Sequence, residues 1–89
     1  MLVRLFTEDT NRKAIVQTVS RYFESFTLFS AVGYWQGKPE QSLCVEIDVS
    51  KDAPSNWLVR VRCIASEIKT LCRQDAVLMQ RVQTQTGIL

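Results

Sequence analysis

The stretch Ala31-Val32-Gly33-Tyr34-Trp35-Gln36-Gly37-Lys38-Pro39-Glu40-Gln41-Ser42-Leu43 decides how the rest of the chain is read. It holds two of the three glycines, one of the two prolines and one of the two tryptophans, so the chain bends here with large aromatic area beside the bend. Before it, residues 26–35 are rich in aromatic and small apolar side chains without helical spacing, which predicts a strand with apolar surroundings on both faces. After it, residues 42–49 alternate, with Leu43, Val45, Ile47 and Val49 inward and Cys44, Glu46 and Asp48 outward. The two runs form a hairpin whose turn spans residues 36–41.

Working outward, residues 2–7 read as a strand with Val3 and Leu5 on one side and Leu2, Arg4 and Phe6 on the other. Glu8, Asp9, Thr10 and Asn11 offer capping oxygens and negative charge where a helix begins. Ile15, Val16, Val19, Tyr22 and Phe23 then mark one apolar stripe, opposite Arg12, Lys13, Gln17, Ser20, Arg21 and Glu24. Beyond the hairpin, Ser50 or Asp52 is a cap and Pro54 falls in the first turn of a second helix. Its stripe is Trp57, Leu58, Val61, Ile64, Ala65, Ile68, Leu71 and Cys72, and Gln74-Asp75 ends it. Residues 76–82 form a last strand, and 83–89 a polar tail.

The order β-α-β-β-α-β predicts an α+β fold, a ferredoxin-like sandwich with an antiparallel four-stranded sheet and both helices on one face. The first strand then lies between the third and the fourth. Arg4 is expected between Glu46 and Arg81 on the helix-free face, with Phe6, Cys44 and Met79 nearby. Arg4, Phe6, Glu46, Met79 and Arg81 are therefore the predicted subunit interface, because apolar residues around a charge pair on an open sheet call for a cover.

Residues 1–89 make a single domain in which 46% hydrophobic residues allow a core with little margin. Eleven scattered basic residues and a net charge of +2 support neither a nucleic-acid stripe nor a polybasic anchor. The acidic Glu46 and Asp48, where a base-stacking sheet would carry aromatics, count against RNA binding. No apolar run approaches the ~20 residues of a membrane span, and the start is too soon polar for a signal peptide. Cys44, Cys63 and Cys72 make no CxxC pair, so reduced thiols in a cytoplasmic protein are expected.

Histidine is absent, which removes the commonest general base and metal ligand. No phosphate-loop, dinucleotide or nucleophile-elbow motif occurs. Without a basic partner the cysteines read as small hydrophobes, and Glu46 reads as one half of an ion pair with a neighbouring arginine. No cofactor or metal is expected, and an enzyme relying on Glu46, Asp48 or a cysteine is the weakest reading. Tyr34 and Trp35 can stack on something flat or anchor a subunit contact.

At the hairpin, Tyr34-Trp35-Gln36-Gly37-Lys38-Pro39-Glu40 resembles the Tyr-Trp-x-Gly-Lys segment of the CutA divalent-cation tolerance family, and the alternating strand to Ile47 and a long helix follow in the same order. The likeness is densest over residues 34–47. It implies the wider PII-like group of ferredoxin-like subunits in tight trimers, several of which bind nucleotides or other anions between subunits. That family carries a histidine-proline-tyrosine-glutamate segment after its second helix, where this chain has Cys72-Arg73-Gln74-Asp75-Ala76-Val77, so its metal association does not carry over. Small phage and bacterial proteins are similar too. The expectation is a non-enzymatic homotrimer binding a small anionic or nucleotide-type ligand, with Tyr34, Trp35, Gly37, Lys38 and Arg73 lining the cleft. The alternative is a protein-interaction module, such as a phage-encoded inhibitor of a host protein.

Overall fold

The structure is a computed structural model that describes residues 1–49, 54–73, 77–83 and 87–88, with Trp35 described by its backbone alone. The expected caps Ser50 and Asp52, the stop at Gln74-Asp75 and the strand start at Ala76 lie outside the described residues, as does part of the polar tail.

Alternation makes the first strand, β1 (Leu2–Glu8), whose Val3, Leu5 and Thr7 are buried while the residues between them are partly open. Asn11 caps α1 (Arg12–Ser20), its side chain accepting the Ala14 N–H at 3.2 Å. Ile15 and Val19 are buried, and so is Thr18, whose hydroxyl donates to the Ala14 carbonyl at 2.8 Å and so is not left unpaired. The helix stops at Ser20, yet Phe23 still reaches the core from the turn that follows.

The hairpin consists of β2 (Thr27–Trp35) and β3 (Lys38–Asp48), paired from Thr27 with Glu46 to Trp35 with Lys38. Only Gln36 and Gly37 form the turn, and both have positive φ, 50° and 77°. That is the signature of a two-residue type I′ turn, whose twist matches that of the strands it joins. The predicted six-residue turn is thus shorter than expected. Polar composition hid the fact that residues 38–41 are paired, since they are all exposed. β2, whose composition predicts apolar neighbours on both faces, is instead an edge strand, and its Phe29, Val32 and Tyr34 remain 41%, 52% and 74% exposed.

Pro54 precedes rather than enters α2 (Trp57–Leu71), its carbonyl accepting the Trp57 N–H. The inward stripe of α2 narrows to Val61, Ile64 and Ile68, with Leu71 left 53% exposed. After the helix Arg73 takes φ 53°, the left-handed conformation that usually ends a helix with glycine. The last strand is β4 (Leu78–Val82).

The fold is α+β, with a four-stranded antiparallel sheet in the order β2-β3-β1-β4 and two helices. β1 lies between β3 and β4, as the sequence predicts. One core unites Val3, Leu5, Leu43, Val45 and Ile47 of the sheet with Ile15, Val19, Val61, Ile64 and Ile68 of the helices. Both helices therefore pack on the same side of the sheet.

Register corrects part of the predicted open face. Residues directly opposite each other in antiparallel strands share a face. Met79 pairs with Leu5 and Arg81 with Val3, so both stand on the helix side, and Arg81 lies 5.4 Å over the Trp57 ring of α2. The expectation slipped β4 by one residue, which exchanges its two faces. Leu78 and Gln80 take the positions given to Met79 and Arg81.

Candidate interaction site

The hairpin outruns the rest of the sheet. β1 ends at Glu8 opposite Ser42, so the four pairs from Val32 with Gln41 to Trp35 with Lys38 have no third strand. At about 3.4 Å per residue this arm projects roughly 13 Å beyond the sheet. Tyr34, Gly37 and Lys38 are all exposed on it. Gly37 serves the turn through its φ of 77°, with open space around its α-carbon. Tyr34 pairs with Pro39 and Trp35 with Lys38, so the two aromatic positions belong to opposite faces of the ribbon.

Arg73 lies elsewhere. It follows α2 and leads toward β4, whose Leu78 pairs with Phe6 near the arm-proximal end of β1. Arg73 and the arm thus share an end of the sheet but not a side of it, because the arm grows from β2 and β3. Strand spacing alone separates β3 from β4 by roughly 9–10 Å. Tyr34, Trp35, Gly37 and Lys38 thus belong to the hairpin arm, whereas Arg73 follows α2.

The helix-free face carries a transverse row of Phe29, Cys44, Phe6 and Leu78, one from each strand in register. Cys44 is fully buried although no helix among the described residues covers this face, and Phe29 and Leu78 at the ends of the row are 41% and 60% exposed. Burial pushes the Cys44 thiol above its ordinary range; Arg4 opposes this and Glu46 adds to it. In the next row Arg4 Nε donates to Glu46 Oε2 at 2.8 Å, both side chains being partly shielded. Asp48, on the same strand face as Glu46, lies 4.0 Å from the N-terminal ammonium instead. The two carboxylates are therefore engaged by different cations. Cys63 is an exposed free thiol on α2. Among the described residues no three His, Cys, Asp or Glu side chains gather as a metal site.

No protein-family model matches this chain, and no curated protein matches it either. Among the described residues no helix is long and apolar enough to cross a membrane.

Two features escaped the sequence reading. Between α1 and the end of α2 runs an open groove of about 580 Å³ lined by Ala14, Gln17, Ser20, Arg21 and Leu71 among others. Beside it Arg21 bridges to Glu67 at 2.6 Å, and Arg60 donates to the Tyr22 carbonyl at 2.6 Å, joining the turn after α1 to α2. Side-chain hydrogen bonding to Glu67, then burial, holds the Tyr22 phenol above its ordinary value. These contacts link residues 38 to 46 positions apart, which no local pattern announces.

Proposed function

We propose that this chain is a non-catalytic, homo-oligomeric domain of ferredoxin-like topology, in which sister copies cover the helix-free face and a small anionic or nucleotide-type ligand binds where the arm of one copy meets the next. The supporting observation is the row Phe29-Cys44-Phe6-Leu78, an apolar strip crossing the whole sheet on the side without helices. An 89-residue chain buries a modest share of its surface alone, so further apolar burial on this face stabilises the fold as well as the assembly. The arm carrying exposed Tyr34 and Lys38 projects beyond the sheet, where a second copy can reach it. The resemblance at the hairpin makes the trimer the expected count, and a cytoplasmic setting fits the three free thiols.

Native mass spectrometry tests this reading by reporting subunit number and any retained ligand together. Leu78→Lys and Phe29→Glu place charge on the strip at positions already partly open, so the fold should persist while the oligomer dissociates. A chain that is monomeric at micromolar concentration, or an oligomer indifferent to both changes, would sink it. Adenine nucleotides should then be titrated against wild type and Lys38→Ala, with weaker binding expected in the variant.

A further inference from the structure

The sheet has guarded edges everywhere but one. β4 is five residues long and carries Arg81, and the outer side of β3 in the arm presents Lys38, Pro39, Glu40 and Gln41. Charges, proline and shortness are how sheets discourage stray pairing. β2 has none of them in its own sequence, and the charge that α1 places against it, Arg12, is paired with Asp9 and donates to the Ser30 side-chain hydroxyl at 3.0 Å, not to the strand's backbone. β2 is the other edge of the sheet, nine residues long, and Thr-Leu-Phe-Ser-Ala-Val-Gly-Tyr-Trp contains neither a charge nor a proline. Among the described residues, the backbone bonds found outside helices and strands include none from β2.

The direction of its free groups follows from the turn. In a two-residue hairpin the flanking residues, Trp35 and Lys38, exchange backbone hydrogen bonds, and such pairs recur at every second position. Thr27, Phe29, Ala31, Gly33 and Trp35 therefore address β3, and Ser42 donating to the Ala31 carbonyl agrees with this. Leu28, Ser30, Val32 and Tyr34 direct their N–H and C=O groups out of the edge.

We propose that β2 pairs antiparallel with β2 of a second copy of this chain, about a two-fold axis at Ala31. Full overlap of residues 27–35 with themselves allows only that centre. It brings four outward-facing pairs into hydrogen-bonding register, Leu28 with the second copy's Tyr34, Ser30 with its Val32, and their symmetry mates, for about eight bonds. Ala31 then meets itself in a non-hydrogen-bonded pair, where the strands approach most closely and a small residue fits. Phe29 stands opposite the second copy's Gly33, an aromatic covering a glycine that has open space around it. No like charges face each other, since the strand has none. A second copy is favoured over a foreign strand because this self-register satisfies small, aromatic and backbone groups at once. The proposal rests on the homo-oligomer reading but uses a different surface from the helix-free strip, so a two-fold at β2 joins two trimers built on that strip into a hexamer.

Two variants test it in a Cys63→Ser, Cys72→Ser background, which leaves buried Cys44 as the only native thiol. Ala31→Cys should form a disulfide-linked dimer on mild oxidation, because a non-hydrogen-bonded pair about 4.5 Å apart at Cα suits the bond, whereas Val32→Cys should not. Val32→Pro removes an N–H that faces solvent in the single chain and a partner in the pair. The monomer should stay folded by circular dichroism, and the dimer dissociation constant should rise about thirtyfold or more. A wild type monomeric at micromolar concentration overturns this proposal and the homo-oligomer reading together. An oligomer that is lost with Leu78→Lys but unaffected by Val32→Pro, and gives no Ala31→Cys crosslink, overturns the edge pairing alone. If β2 instead binds an added strand peptide while wild-type chains remain unpaired there, a foreign partner is the occupant.

Discussion

Cys44 and Tyr22 occupy very different places but are pushed in the same direction. Burial raises the Cys44 thiol, and Glu67 raises the Tyr22 phenol. A folded state that holds a proton more tightly than the unfolded chain has its full stability below the unfolded pKa and loses it as pH rises through the folded one. With unfolded values of about 8.5 for cysteine and about 10 for tyrosine, the urea midpoint should be flat to about pH 8.5 and fall beyond it. Tyr22→Phe should flatten the upper part of that fall and Cys44→Ala the lower part. A midpoint that rose toward pH 11 in wild type would contradict both assignments. By contrast the Arg4–Glu46 pair is partly solvated and contributes at most about 1 kcal/mol, so Glu46→Gln should lower the urea midpoint of the single chain by no more than that amount allows.

Three backbone positions carry the conformational burden of their elements. Gln36 at φ 50° and Gly37 at φ 77° shape the turn of the arm, and Arg73 at φ 53° ends α2 without a glycine. Side chains at such φ are strained by about 1–2 kcal/mol. Gly37→Ala should therefore destabilise the protein by about 1 kcal/mol, and Arg73→Gly should stabilise it by about 0.5–1 kcal/mol once the added chain entropy is offset. Equilibrium urea unfolding of the two variants checks both signs. If Arg73 also binds the ligand, the same glycine variant should gain stability while losing affinity, a combination that a purely structural residue does not give. The arm itself is a two-stranded ribbon, which is marginal in isolation. Its exposed Val32 and Tyr34 are the side chains that gain most from a neighbour.

For the assembly proposed above, the consequence at the scale of the whole molecule is a stability tied to concentration. Whatever binds the folded form and not the unfolded one raises the melting temperature by mass action. Wild type should thus melt at a higher temperature as its concentration is raised, and Leu78→Lys should show less of that dependence. A midpoint constant over a wide concentration range describes a monomer and removes the assembly argument. The core of the single chain is confined to one side of the sheet, with Val45, Ile47, Ile64 and Ile68 essentially inaccessible, while the opposite face buries little beyond Cys44. That asymmetry is why a cover on the second side alters global stability and not merely a local contact.

Element order, the inward set Val3, Leu5, Leu43, Val45 and Ile47, and the helix stripes around Ile15 and Ile64 were determined by the sequence, because period-two and period-3.6 burial leaves its mark along the chain. The placement of β1 between β3 and β4 followed from that order. The length of the arm, the identity of the unguarded edge and the face of each β4 residue were decided only by tertiary structure. Residues 38–41 are polar yet paired, and Arg81 faces the helices because β4 pairs with β1 in the register that sets it opposite Val3. Hydropathy reports how much water a residue avoids, but not which strand sits beside it. A shift of a single residue in that pairing moves a side chain from one surface of the sheet to the other.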